Sequence, residues 1–377
     1  MGTNQSCQLR RILVIVVFAT VGLAEEAMAA QVSGQSPNHQ DAAANDIAPD
    51  EIASELEYVL PDACRVCAFE IQPTLEHPDF ARLQEDEVAG WLISMGRVVL
   101  VGQLENVERV AFVDLRPQDQ FSAAGGRDYW IIRANESIDD ESYFAGNLLE
   151  GIGLLIPVDR RLNASPKQLQ NHRYWVKGST PSAFGVRGVH FVDERTAIVA
   201  ELDLLLELIP QFHRDKAPTE NTLAARLSSA DLHGTYTDVV ACDLARDYIN
   251  RLQFAHLPQG VRRLVELAAG AQTLHWQFNI NADESTPFAS ALCEFANEAD
   301  AEEFATGLKT HREEAVRWLL KQYTRADSVN PTVDQFIRNI ILQASVTQHG
   351  ATVTIRSTQE KTLRPSLTDA ITSLRKR

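Results

Sequence analysis

Basic residues are scarce in this chain of 377 residues: 35 Lys and Arg face 51 Asp and Glu, and the formal net charge is −16. Nucleic-acid binders draw much of their affinity from clustered Lys and Arg that contact phosphates. The charge balance therefore argues against a nucleic-acid partner. The sequence also lacks the G-x-S-x-G, G-x-x-x-x-G-K-[ST] and H-E-x-x-H motifs, so it carries no signature of a nucleophile elbow, a phosphate loop or a zinc protease.

Cysteine is rare as well, with five in the whole chain. Cys64 and Cys67 form a C-x-x-C pair, but the residues around them predict a strand, whereas a redox pair usually begins a helix. A structural zinc site needs two further ligands, and no second C-x-x-C or spaced His pair follows. We therefore predict neither a metal site nor a cofactor, and we expect Cys67 to be a small core residue. The alternative to buried, small core cysteines is one disulfide formed by chance.

The N-terminus carries an export pattern. Arg10 and Arg11 precede a short apolar run from Ile12 to Leu23, and small residues follow at Ala27 and Ala29. This order is typical of a signal peptide over residues 1–29, and an uncleaved anchor is the alternative. Residues 30–55 are polar without an apolar period, which predicts a disordered tether. We expect an exported mature chain, periplasmic or extracellular, without a membrane span.

The remaining chain reads as two halves, 56–212 and 213–377, with a similar order of predicted elements. Each half opens with a strand and a helix, continues with two strands and a second helix, and closes with a hairpin. The second strands end in the matching segments Arg133-Ala134-Asn135 and Phe295-Ala296-Asn297, and Phe144 and Phe304 occupy the helices that follow. An internal duplication explains this shared order. We predict an α+β fold of two related domains, each a mostly antiparallel sheet covered on one face by helices.

A family resemblance accompanies this pattern. The aromatic strand Tyr174-Trp175-Val176 precedes a predicted hairpin from Val189 to Val199, with an acidic pair, Arg and Thr at its turn. The opening Leu60-Pro61-Asp62-Ala63 and the segment from Leu227 to Leu244 complete the likeness. Together they resemble uncharacterised exported proteins of planctomycete-type bacteria. The resemblance implies the duplicated α+β architecture and no catalytic residues.

Two pairs of side chains are candidates for function. Glu70 and Asp243 lie near the ends of the opening strands of the two halves, and paired carboxylates can divide acid and base roles. The alternative is that each carboxylate is solvated or caps a helix. Trp130 and Trp175 each follow a Tyr on a predicted strand. An outward aromatic pair would suit a sugar or a peptide, although aromatic side chains also cover exposed sheet.

The ten histidines are scattered, and only His172 and His190 are placed to meet, if their strands are neighbours. The leading hypothesis for function is a non-catalytic exported binding or structural protein with an unknown ligand or protein partner. The alternative is a secreted hydrolase that uses carboxylates from the two halves.

Overall fold

A computed structural model describes residues 58–72, 106–115, 127–152, 164–176, 186–213, 223, 236–243, 257–279, 289–323 and 342–357. The described chain falls into two compact units, with elements up to His213 in the first and elements from Tyr236 onward in the second. The predicted signal peptide, the tether and the predicted helix from Phe80 to Met95 lie outside the described residues.

Seven strands and two helices are described in the first unit. In chain order they are β1 (Ala63–Glu70), β2 (Val107–Leu115), β3 (Asp128–Ala134), α1 (Glu141–Ile152), β4 (Ser165–Leu169), β5 (His172–Val176), β6 (Arg187–Phe191), β7 (Thr196–Glu201) and α2 (Leu202–Phe212). The strands follow the order β1-β2-β3-β7-β6-β5-β4, and each neighbouring pair is antiparallel.

Helices pack on both faces of this first sheet. Val189 on β6 belongs to the apolar cluster that includes Leu148 of α1. Its neighbour Gly188 faces α2 so closely that a Cβ there would lie 2.7 Å from Leu205 Cδ2. Because successive strand residues point to opposite faces, α1 and α2 cover opposite faces. The expectation of helices on one face is therefore wrong for this unit, and the reason is visible in β7, where five successive residues are buried.

In the described part of the second unit there are five strands and two helices. They are β8 (Tyr236–Ala241), α3 (Gln259–Ala269), β9 (Thr273–Phe278), β10 (Ala289–Glu294), α4 (Glu298–Tyr323), β11 (Ser345–His349) and β12 (Thr352–Ser357). The strand order is β8-β9-β10-β12-β11, again antiparallel throughout. Helices α3 and α4 pack closely, since a Cβ at Gly307 would lie 2.6 Å from Leu267 Cδ1.

The α+β class predicted from the sequence is confirmed at this level: antiparallel sheets with packed helices. One strand was missed. β4 reads Ser-Pro-Lys-Gln-Leu, and its first four residues are exposed, so it has no apolar alternation to reveal it. It pairs with β5 through the tight turn at Gln170 and Asn171, both of which have positive φ.

Candidate functional site

The strand register aligns the two candidate tryptophans across the first sheet. Trp130 lies opposite Val199, Val199 opposite Val189, and Val189 opposite Trp175. Residues directly opposite each other in a sheet share a face. Trp130 and Trp175 therefore lie on the same face, at the two ends of one row, with two valines between them.

Helix α1 packs on this face. Its Ala145, Leu148 and Leu149 belong to one apolar cluster with the row, and Trp130 packs against the cluster from its margin. Trp175 is only 6% exposed. The Trp130 ring also meets Phe112 edge to face at 5.7 Å between centroids. Both indoles thus belong to the packing between sheet and helix, so neither forms the outward aromatic platform considered from the sequence.

Two indole N–H groups lie on this face. Nε1 of Trp130 and Nε1 of Trp175 are each buried and have no hydrogen-bond partner in the described part of the chain. A buried Trp N–H normally finds an acceptor, because burying a polar group without one costs about 1 to 3 kcal/mol. Because α1 covers this face, a ligand with acceptor atoms can meet the two donors only between the sheet and α1. We call this face, with Trp130, Trp175, Val189, Val199 and α1, the indole face.

The two candidate carboxylates have different surroundings. Glu70 is the last residue of β1, and its Oε1 accepts a hydrogen bond from Arg109 Nη2 at 2.7 Å. Arg109 also lies directly opposite Glu70 in the β1–β2 register. Asp243 belongs to the second unit, two residues beyond β8, and is half-buried. The ion pair neutralises Glu70, as is typical of a residue that stabilises a sheet.

All four cysteines of the described chain, Cys64, Cys67, Cys242 and Cys293, are buried, and none of them is in a disulfide. The prediction that Cys67 is a small core residue is confirmed. Burial raises the pKa of the Cys293 thiol far above its ordinary value, and the nearby Cys242 and Glu294 raise it further. A thiol that does not ionise is a poor nucleophile and a poor metal ligand.

Three histidines form a cluster, and the sequence predicted the contact between only two of them. His190 on β6 and His172 on β5 approach to 6.1 Å between ring centroids, so the expectation that they meet is correct. His213, the residue after α2, joins them: its ring stacks on His172 at 3.8 Å with an interplanar angle of 11°. The Nε2 atoms of His190 and His213 are 2.8 Å apart. We call these three residues the histidine cluster.

His213 had no signal in the sequence, because 23 residues separate it from His190 and only the return of α2 over the sheet brings it there. Within the described ranges, no three His, Cys, Asp or Glu side chains are arranged to hold a metal ion. The histidine cluster is no such arrangement either, because two of its ring nitrogens point at each other and two of its rings are stacked.

None of the helices in the described residues combines the length and the apolarity that crossing a membrane needs.

Comparison with known proteins adds little to this geometry. No family model matches the chain, and no curated protein matches it. A solved structure titled "Structure of crystal form I of TP0453" matches with 8% sequence identity and a TM-score of 0.32, and the match covers 85% of this chain and 95% of that one. A TM-score this low carries no argument about fold or function.

Proposed function

We propose that this protein is an exported, non-catalytic binding protein whose first unit takes an apolar ligand with acceptor atoms at the indole face, between the sheet and α1, with α1 shifting to admit it. The observation that carries the proposal is the pair of buried indole donors, Trp130 Nε1 and Trp175 Nε1, that lack acceptors within the described residues. The ligand class follows from the chemistry of the face. Aromatic and aliphatic side chains favour an apolar body, and two N–H donors favour a carboxylate, sulfonate or ester oxygen.

The ion pair of Glu70 favours binding over hydrolysis. Glu70 is held by Arg109 at 2.7 Å, so its carboxylate is engaged by an arginine of the sheet itself. Strand register also separates the two candidates. In the first unit Glu70 lies opposite Arg109, and in the second unit Ala241 lies opposite Thr273. When the two units are matched by this register, the counterpart of Glu70 is Ala241, two residues before Asp243. A duplication therefore gives no reason for Glu70 and Asp243 to share a site.

The probe for the binding experiment is anilinonaphthalene sulfonate, an apolar fluorescent dye with an anionic acceptor group. We expect the full chain to bind the dye saturably at neutral pH. Trp130→Phe and Trp175→Phe keep an aromatic ring but remove the N–H. Each should weaken binding about tenfold, because a hydrogen bond to a charged group contributes roughly 1.5 kcal/mol or more.

Trp276→Phe is the matched control. Trp276 is also a buried strand tryptophan, 7% exposed, but it lies in the second unit. This variant should bind the dye as the unaltered chain does. Thermal melts of all three variants must remain cooperative, since partly unfolded chains also bind the dye. Non-saturable binding, or equal loss of affinity in all three variants, would contradict the proposal.

We also propose that the two units arose by duplication. The orders β1-β2-β3-β7-β6 and β8-β9-β10-β12-β11 correspond strand for strand, and α1 and α4 occupy the same connection, between the third strand and the closing hairpin. In both units that helix covers the same face. In the first unit, α1 packs over Ala197. The counterpart of Ala197 in the second unit is Val353, which lies opposite Gln348 and shares its face of the sheet. Gln348 donates a hydrogen bond to the Glu298 carbonyl at the start of α4, so α4 lies on that face.

The register refines the match that the sequence indicated. The amide of Ala134 donates to the Arg195 carbonyl at 2.8 Å, and the amide of Phe295 donates to the Ala351 carbonyl at 2.9 Å. Ala134 therefore corresponds to Phe295, not to Ala296, which shifts the alignment by one residue. An experimental structure in which the five strands superpose with this register would support the duplication. A superposition that requires a different register would oppose it.

Export remains part of the proposal and is motivated by the order of residues 1–29. N-terminal sequencing of the protein recovered from its native host should give a chain that begins near residue 30. Recovery of chains that still begin with Met1 in the membrane fraction would contradict it.

A further inference from the structure

The histidine cluster connects three elements of the first unit. His172 is the first residue of β5, His190 is the fourth residue of β6, and His213 directly follows α2. His190 is 2% exposed, whereas His213 is exposed. The cluster therefore joins the end of α2 to the sheet through imidazole rings, and His213 and the half-buried His172 form its solvent-facing side.

The hydrogen bonds determine where the proton on His190 lies. His190 Nδ1 is 2.8 Å from the Arg173 carbonyl oxygen, which can only accept, so Nδ1 carries the hydrogen. In neutral His190, Nε2 is then an acceptor. His213 Nε2, at 2.8 Å, must donate its N–H to it. The contact that holds the end of α2 on β6 thus depends on a neutral His190.

The groups that face His190 offer little compensation for a positive charge. Tyr174 on β5 and Ile198 on β7 lie directly opposite it. The side chains of Thr196 and Ala200 share this face of β7 and carry no charge. On α2, Asp203 and Glu207 are exposed, and Glu207 is paired with Arg127.

Arg173, Arg187 and Glu201 point to the other face of the sheet, because successive strand residues alternate between faces. The Arg173 side chain pairs with Glu141 of α1 at 3.6 Å, and α1 covers that other face. Arg187 lies opposite Glu201 in the register of β6 and β7. The charges that act most directly on His190 are those of His213 and His172.

We propose that the histidine cluster is a pH-sensitive clasp that holds the C-terminal end of α2 on strands β5 and β6 at neutral pH and releases it in acid. Protonation of His213 alone leaves its hydrogen bond to neutral His190 in place, because Nε2 of His213 keeps its N–H. A second proton in the cluster adds a second charge. It then either turns two N–H groups toward each other or places two cationic rings 3.8 Å apart.

The titration of His190 agrees with this geometry. Burial lowers the pKa of His190 to about 4, and the charges of His213 and His172 lower it further, against the hydrogen bond to the Arg173 carbonyl, which raises it. The cluster accordingly resists full protonation near neutral pH. It opens over a range that an exported protein meets only in an acidified environment.

The first test reads the protons directly. Nitrogen-15 NMR of the full chain labelled at histidine reports tautomer and titration for each ring. We expect the Nδ1–H tautomer for His190 at pH 7 and a pKa clearly below the ordinary 6.5. An Nε2–H tautomer, or titration near the ordinary value, would overturn the clasp.

The second test measures release. Hydrogen exchange of the full chain at pH 7.0 and pH 4.5, corrected for intrinsic rates, should show the last turn of α2 opening about tenfold more often in acid. His213→Gln keeps a donor of similar reach but cannot be protonated. It should reduce this ratio to about threefold or less, because one of the three charges is missing.

His349→Gln is the matched control, because His349 is an exposed histidine on β11 of the second unit. It should leave the exchange ratio of α2 unchanged. Equal protection of α2 at both pH values, or equal effects of the His213 and His349 variants, would overturn the proposal. Since His213 is exposed, its variant tests the clasp without disturbing the core.

Discussion

Glu70 and Arg109 face each other across β1 and β2 and form an ion pair of 2.7 Å between Oε1 and Nη2. Their side chains are 25% and 17% exposed, so solvent screens the pair only partly. Glu70→Ala and Arg109→Ala should therefore show a coupling energy of about 0.5 to 1 kcal/mol in a double-mutant cycle of urea unfolding.

Arg65 and Asp114 are a matched control in the same pair of strands. They also lie opposite each other, but their nearest charged atoms are 3.6 Å apart. Their cycle should give a smaller coupling. A coupling near zero for Glu70 and Arg109 would mean that Glu70 is not held by the pair, and the argument against a role in catalysis would then fail.

Two glycines should respond oppositely to alanine. A Cβ at Gly188 would lie 2.7 Å from Leu205 Cδ2, and Leu205 is fully buried, so Gly188→Ala should destabilise the protein by about 1 to 3 kcal/mol. A Cβ at Gly146, inside α1, meets nothing within 4 Å. Gly146→Ala should stabilise by roughly 0.5 to 1 kcal/mol, because glycine disfavours a helix. Urea unfolding measures both. Equal effects would show that α2 does not press on β6.

The buried hydroxyl of Tyr129 joins the segment before β1 to the sheet. It donates to the Tyr58 carbonyl at 2.6 Å and accepts from the Leu60 amide at 3.1 Å. Burial raises the pKa of Tyr129 well above its ordinary value, so it remains a phenol at every pH of interest. Tyr129→Phe should cost about 1 to 3 kcal/mol, since the Leu60 amide loses its acceptor in the interior.

Tyr58→Phe is the comparison for Tyr129. The Tyr58 hydroxyl donates to Asp193 Oδ2 at 2.8 Å in an exposed position. Solvent can replace that bond, so the loss should stay below about 1 kcal/mol. Burial alone would raise the pKa of Asp193, but hydrogen bonds from the Arg195 amide and from Tyr58 hold it below its ordinary value. A larger loss for Tyr58→Phe than for Tyr129→Phe would contradict this ranking.

Stability should fall in mild acid because of His190. Its pKa in the folded protein is lowered to about 4 from 6.5, so below pH 6.5 the unfolded chain binds the proton more readily. The free energy of unfolding then decreases as pH falls from about 6.5 toward 4, by on the order of 2 to 3 kcal/mol. Urea unfolding at pH 7 and pH 4.5 measures it. His190→Gln should remove this share of the pH dependence, and an unchanged slope in that variant would refute the assignment.

Much of the architecture could be predicted from the sequence, because period-two alternation indicates a strand and an apolar stripe indicates a helix from local residues alone. The hairpin of β6 and β7 and the aromatic strand β5 lie within a residue or two of their predicted positions. β4 was not predicted, since an exposed polar edge strand is held only by its neighbour. The placement of α2 on the face opposite α1 was also missed, because a local pattern does not state which face a helix will cover.

By itself the sequence determined the α+β class, the absence of a nucleic-acid signature and the burial of Cys67, which all follow from composition and short-range periodicity. Only the tertiary structure decided how side chains meet. Strand register put Trp130 and Trp175 at the ends of one row and Arg109 opposite Glu70. The return of α2 over the sheet brought His213 to His190. Such pairings join residues that are far apart in the chain, and their geometry depends on register and packing, which no local pattern encodes.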